Sequence, residues 1–317
     1  MASGGAKTDW KHFIWPAIGL TTIALSFWLL GHELRDMSWS LLWQAVLAVP
    51  PAHWLMIAGC TVTCYLALSA YDLLALQHLG RCVPFRFVLG CSLTTYSLSH
   101  ILGASTFTGA LIRYRAYSSK GLGAAEVGVL VAFCSLTFSI GVMVLLALSC
   151  LMVPSPVARI SSLLSPGQLR LLGVGLLAVV ALYLAASARG LPDLKIRRFT
   201  LSYPRLSIAA RQALLGPVEL SFAAAILYFA LPAAGNPGFL IVLGVFAMGF
   251  TLAILSHAPG GIGVFELVVI TGLPEFPPEV VLAGLLVFRI FYFLIPLAMG
   301  MVMIAYFERG QLRLRRH

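Results

Sequence analysis

The sequence predicts an all-α polytopic membrane protein with about six full transmembrane helices and two oppositely oriented re-entrant hairpins in an inverted repeat. Of its 317 residues, 60% are hydrophobic and only 10% are charged, whereas soluble domains carry about 25% charged residues. Six apolar runs are long enough for the roughly 20 residues that a membrane helix needs: 13–30, 52–76, 126–152, 171–188, 214–231 and 280–307. Two further apolar stretches contain breaks and are predicted to be hairpins.

The first hairpin is predicted at 87–118 from the distribution of basic residues. Such residues flank this Ser- and Thr-rich stretch on both sides: Arg81 and Arg86 before it, and Arg113, Arg115 and Lys120 after it. Because Lys and Arg gather on the cytoplasmic side of a membrane protein, a single crossing would place one cluster on the wrong side. A stretch that enters the membrane and returns to the same face removes this conflict.

The second hairpin is predicted at 239–271, and it opens to the opposite face. With both termini cytoplasmic, only Arg35, Arg159 and Arg170 of the 21 basic residues lie outside, and Arg289 is buried. One transmembrane domain, 1–317, is expected. Its halves, about 50–152 and 208–307, form an inverted repeat typical of transporters.

Each predicted hairpin contains a helix break that begins with the same Leu-Ser-His sequence. Proline removes a main-chain donor and glycine loses much entropy on ordering, so a break in the membrane requires protein or water around it. The break residues are Ser99, His100 and Gly103 in the first hairpin, and Ser256, His257, Pro259, Gly260, Gly261 and Gly263 in the second. The two histidines are expected to bond freed carbonyl groups, with a proton relay as the alternative. No metal or other cofactor is predicted.

Five ionisable residues fall within or beside the apolar segments: Asp72, Arg113, Glu219, Glu266 and Arg289. Each costs at least about 2.5–3.5 kcal/mol at the bilayer centre, so each is expected to have a partner. The sequence suggests Glu266 for Arg289, and Asp72 for Arg113. These residues either line a polar path for a lipid headgroup or form ion pairs that fix helix packing.

A basic and aromatic patch follows the first break. Arg115, Tyr117 and Lys120 are predicted to recruit acidic phospholipid at the membrane surface, with topological anchoring as the alternative. The net charge of +10 does not indicate nucleic-acid binding, because the basic residues lie in loops that flank membrane spans. The six cysteines are read as small apolar residues.

Several of these segments resemble one known family. They are YDLLALQHLGR, SHILG, TGALIRYRAYS, AAEVGVLVAFCSLTFSIG and SHAPGGIGVFE, and they are similar to the transmembrane region of lysylphosphatidylglycerol synthase/flippase proteins and their stand-alone relatives. The resemblance implies movement of aminoacylated phosphatidylglycerol across the bacterial inner membrane, which gives resistance to cationic peptides. It also implies that Asp72, Arg113, Glu219 and Glu266 occupy the positions of that family's intramembrane charges.

Bifunctional members of that family continue into a soluble aminoacyltransferase domain, whereas this chain ends at His317. The resemblance therefore implies a translocator, either truncated or stand-alone, that is not an enzyme by itself. It leaves open a cargo lipid other than lysylphosphatidylglycerol. Two alternatives stay open: a non-transporting membrane partner of a lipid-modifying enzyme, and a proton-coupled transporter of a small solute. Homo-oligomerisation also stays open.

Overall fold

The computed structural model describes residues 39–102, 105–152, 165–190, 194–196, 199–201, 203–256 and 263–314. Within these ranges the chain is almost entirely helical. The helices are α1 Trp39–Leu47, α2 Pro51–His78, α3 Phe85–Leu102, α4 Ser105–Ser118, α5 Ala124–Met152, α6 Pro166–Arg189, α7 Leu206–Ala230, α8 Phe239–Leu255, α9 Val264–Gly272, α10 Pro278–Arg289 and α11 Ile295–Leu314. A π-helical turn, Ile290–Leu294, joins α10 to α11. Strands β1 Leu194–Ile196 and β2 Phe199–Leu201 form a small antiparallel hairpin between α6 and α7.

Five helical segments are long and apolar enough to cross a membrane. They are α2, α5, α6, α7 and the continuous segment Pro278–Ala305, and they coincide with five of the six predicted spans. The sixth, 13–30, lies outside the described residues. The chain is thus a multi-pass membrane protein of the all-α class. Helix α1 packs against α10.

Helices α3 and α4 form an antiparallel hairpin at the first predicted position. The ring of Phe87, near the start of α3, contacts that of Tyr117 near the end of α4, with 5.9 Å between centroids. At the other end of the pair, Ser99 lies against Gly109. The two helices begin and end within two residues of the predicted range, 87–118.

Helices α8 and α9 form the corresponding antiparallel pair in the second half. Val245 lies against Gly272, and Gly249 lies against Phe265. Helix α9 has nine residues, so its length is about 13 Å, well short of the roughly 30 Å hydrocarbon core. It cannot cross a membrane alone. That each pair re-enters the membrane stays a prediction.

The spans that precede the two hairpins, α2 and α7, pack antiparallel to each other. His53 Nδ1 lies 2.9 Å from the carbonyl oxygen of Phe229 at one end. At the other end Arg211 donates to Gln77 Oε1 over 3.1 Å. Two buried acids lie on these helices, Asp72 on α2 and Glu219 on α7.

Helices α5 and α7 cross in backbone contact at Gly141 and Gly216. A Cβ atom on Gly216 would lie 2.7 Å from Gly141 Cα and 2.7 Å from the carbonyl oxygen of Thr137. Both obstacles are main-chain atoms, which cannot rotate away as a flexible side chain can. Only glycine therefore fits at this crossing.

We predict that Gly216→Ala forces α5 and α7 apart and destabilises the protein by on the order of 1–3 kcal/mol, as overpacking does. Thermal unfolding in detergent micelles would show a lower midpoint. The matched control is Gly175→Ala in α6, where an added Cβ has nothing within 4 Å. Equal midpoints for the two variants would contradict the tight crossing.

Candidate functional site

Asp72 and Arg113 form a buried ion pair that joins α2 to the first hairpin. Arg113 Nη2 donates to Asp72 Oδ1 over 2.7 Å, and Arg113 Nε donates to Oδ2 over 3.2 Å. This two-pronged geometry is the strongest arrangement between a guanidinium and a carboxylate. Both side chains are almost fully buried, and the pair is one of the two that the sequence suggests.

Three further side chains complete this centre. Tyr117 Oη donates to Asp72 Oδ2 over 2.9 Å, and Cys134 Sγ donates to Oδ1 over 3.3 Å. The Arg113 guanidinium lies over the ring of Tyr96, 4.7 Å from its centroid, which is cation–π distance. Donors from α4 and α5 thus saturate the carboxylate, and this offsets its loss of hydration.

This arrangement corrects the predicted surface patch. Tyr117 is fully buried and does not lie at the surface with Arg115 and Lys120. Residues four apart share one face of a helix, so Tyr117 follows Arg113 into the protein. Lys120 is exposed, and its Nζ lies 4.8 Å from the centroid of the Phe87 ring. The polar role of Cys134 was also missed.

Glu266 and Arg289 form a second buried ion pair, which joins α9 of the second hairpin to α10. The other carboxylate oxygen, Glu266 Oε2, accepts a hydrogen bond from the main-chain N–H of Gly263 over 2.7 Å. Gly263 has a φ of +83°, a conformation that favours glycine. This glycine starts α9 and orients the carboxylate toward Arg289, which is the pairing that the sequence suggests.

Glu219 of α7 lies at a third buried centre, together with Tyr292 of the π-helical turn. Tyr292 Oη donates to Glu219 Oε1 over 2.7 Å. Glu219 Oε2 is buried and has no hydrogen-bond partner among the described residues. Cys64 Sγ of α2 contacts the main-chain oxygen of Glu219 over 3.4 Å.

Pro296 explains how Tyr292 is held. Proline has no N–H, so it cannot donate to the carbonyl four residues earlier, which belongs to Tyr292. Tyr65 Oη of α2 donates to that freed carbonyl oxygen over 3.0 Å. Proline four residues after a tyrosine was a usable signal for a freed carbonyl, but the sequence does not say which side chain satisfies it.

The last span contacts both hairpins. Arg289 of α10 binds Glu266 in the second, and Gly300 of α11 lies directly against Thr94 and Ser97 of the first. Thr94 Oγ1 lies 3.5 Å from the carbonyl oxygen of Gly300. This span therefore links the two hairpins mechanically.

The breaks themselves are described only in part. Ser256 Oγ donates to the carbonyl of Ala253 over 2.8 Å, and the buried Ser99 hydroxyl has no hydrogen-bond partner among the described residues. The remaining predicted break positions lie outside the described side chains, so the roles suggested for the two histidines stay predictions: His100, Gly103, His257, Pro259, Gly260 and Gly261.

Comparison with known proteins identifies the family to which this chain belongs. The family described as "Lysylphosphatidylglycerol synthase TM region" matches residues 16–300, which include both hairpins and all three buried centres. The chain belongs to this family. Its membership agrees with the resemblance carried by the motifs around Arg113 and Glu266.

Some relatives of this family member are matched over most of their length, and another is matched over only part of its length. The chain is 28% identical to an uncharacterized protein of Synechocystis sp. (95% of this chain, 93% of the relative) and 28% identical to the inner membrane protein YbhN of Escherichia coli (89% and 88%). It is 25% identical to phosphatidylglycerol lysyltransferase of Staphylococcus haemolyticus, over 89% of this chain but only 32% of the relative.

We predict that Asp72→Asn or Arg113→Gln alone destabilises this family member by about 3–5 kcal/mol, because either change leaves one buried charge uncompensated. The double variant, which removes both charges, should recover much of that loss. Thermal unfolding in detergent measures all three.

The control for this cycle is the surface pair between Arg81 and Glu126. Its N–O distance is also 2.7 Å, but its side chains are 46% and 28% exposed against 5% and 0% for Arg113 and Asp72. Arg81→Gln should change the unfolding midpoint little, because exposed pairs contribute little. A double variant less stable than either single one would contradict the uncompensated-charge explanation.

Proposed function

We propose that this protein moves an anionic or aminoacylated phospholipid, such as lysylphosphatidylglycerol, between the leaflets of the bacterial inner membrane. The observation that carries the proposal is that each helical hairpin is joined to a neighbouring span by one buried arginine–carboxylate pair. Family membership supports the substrate class.

The chemistry of the pairs matches that of such a headgroup. The acyl tails of a lipid can stay in the bilayer while it moves, but its charged headgroup needs a polar path. A phosphate can replace a carboxylate on Arg113 or Arg289, since both anions accept two hydrogen bonds from a guanidinium. An ammonium group can in turn replace the guanidinium on Asp72 or Glu266. A phosphate and one ammonium group of the cargo can thus exchange partners with the pair and keep each of these charges matched.

The hairpins supply the movement. Replacing an internal ion pair by contacts to the headgroup releases a hairpin from its span, α4 from α2 or α9 from α10. With the two halves in an inverted repeat, release on one side and then on the other gives alternating access. The exposed Lys120, together with Arg115, would concentrate acidic headgroups at the cytoplasmic entrance.

Under this proposal the chain is not an enzyme by itself, and both of its termini are cytoplasmic. The matched region of the lysyltransferase relative is less than a third of that protein. Any synthesis of the aminoacylated lipid would then fall to another domain or to a separate enzyme. The similarity to an inner membrane protein supports the location.

The test is translocation by the purified chain in liposomes that contain lysylphosphatidylglycerol. A membrane-impermeant amine reagent labels headgroups in the outer leaflet only. After the outer leaflet has been labelled, unlabelled lipid from the inner leaflet should reach the outer leaflet faster than in protein-free liposomes. If the purified chain moves no lipid, the proposal is wrong, and a non-transporting partner of a lipid-modifying enzyme becomes the better reading.

We predict that Arg113→Ala and Glu266→Ala abolish headgroup exposure. The double variant Asp72→Asn with Arg113→Gln separates function from folding. It leaves no unpaired buried charge, but it removes one of the two ion pairs of the proposed path. It should fold and fail to translocate. Glu126→Gln, a change outside the buried centres, should behave as the unaltered protein. Normal translocation by the folded double variant would remove this pair from the path.

A further inference from the structure

Glu219 differs from the other buried acids of the described structure. Asp72 and Glu266 each contact an arginine. The Glu219 carboxylate instead has one neutral donor, Tyr292 Oη, and its Oε2 atom is buried without a hydrogen-bond partner among the described residues. A buried ionised carboxylate with no cation beside it is strongly disfavoured. The Glu219 carboxylate therefore requires a bound proton or another mobile cation.

The elements packed on α7 supply no such cation within the described structure. From α2, Cys64 and the buried tyrosines Tyr65 and Tyr71 lie nearby, and none of the three carries a positive charge. Helix α8 contains no titratable residue. On α5, α6 and α10, Cys134 contacts Asp72, Tyr183 contacts Gln212, Arg289 contacts Glu266 and Glu126 contacts Arg81. The other groups on these helices and on α2 that can carry a positive charge lie near helix ends: His53, His78 and the exposed Arg170 and Arg189.

We propose that Glu219 is a proton-binding site and that its proton exchanges for the cationic headgroup of the cargo lipid. The O–H bond of the protonated carboxyl breaks, the proton passes to water, and the resulting carboxylate pairs with the ammonium group. Release of the lipid on the other side returns a proton to the same carboxylate, so charge balances at each step. The exchange rests on the proposed lipid transport, whereas the proton site does not.

Tyr292 determines which oxygen takes part. Its hydroxyl occupies Oε1, so the unpaired Oε2 is the atom that carries the proton or meets the ammonium group. Tyr292 lies three residues after Arg289 on the same helical segment. A change at Glu219 therefore acts directly on the span that holds the second hairpin through Glu266.

The proton site is tested by infrared spectroscopy of the full chain in detergent at neutral pH. We expect a carbonyl stretch from a protonated carboxylic acid that is lost in Glu219→Gln and retained in Glu126→Gln. The amide oxygen of glutamine can still accept from Tyr292, so the variant should fold, which its unfolding midpoint checks. A spectrum with no such band, or a band that persists in Glu219→Gln, would overturn the site.

The exchange is tested in liposomes containing lysylphosphatidylglycerol under an imposed pH gradient. One-for-one exchange predicts a change of about tenfold in the ratio of the lipid between leaflets for each pH unit, since one unit is a tenfold change in proton activity. Glu219→Gln should lose this response, and Glu126→Gln should keep it.

The outcomes separate the two proposals. If lipid moves but its ratio ignores the pH gradient, or follows a sodium gradient instead, the exchange is wrong and the translocation stands. If no lipid moves under any gradient, translocation and exchange are both wrong, and the infrared result alone decides the proton site.

Discussion

Hydrocarbon tolerates neither an isolated charge nor an unpaired main-chain group, and the described core of this protein is arranged around that constraint. Asp72 accepts bonds from two donors of Arg113 and from Tyr117 and Cys134. The carbonyl freed by Pro296 is met by Tyr65. Each solution joins helices that are distant in sequence, so satisfying the polar groups also assembles the bundle.

The contacts that hold the hairpins are also the ones that the proposed transport would exchange. A buried ion pair is weak evidence for stability, because desolvation cancels much of its Coulomb energy. It strongly disfavours separation of its partners unless a substitute of the right charge is present. In the proposed mechanism, a hairpin held in this way stays closed in the absence of cargo and opens when a headgroup supplies both charges. Packing through leucines alone would lack that selectivity.

The last span occupies a central mechanical position. Arg289 supplies a guanidinium to the second hairpin, and Tyr292 supplies its hydroxyl to Glu219 and its carbonyl to Tyr65. About two turns later, Gly300 contacts the first hairpin. The π-helical turn and Pro296 lie in this region. π-helical turns inside α-helices are common at functional sites, because they shift side chains relative to a regular helix.

Hydropathy, charge distribution and helix-breaking residues were enough to predict five of the six spans and the positions of both helix pairs, because these depend on local composition and on the bilayer. They also suggested both ion pairs, since few charges can exist in hydrocarbon and each needs an opposite one. The donors that complete each centre depended on the tertiary structure. Cys134 lies 62 residues from Asp72, and Tyr292 lies 73 from Glu219, so no local pattern links them. Only the packing of the helices buried Tyr117 and left Glu219 without an arginine among the described residues, because packing fixes which faces meet.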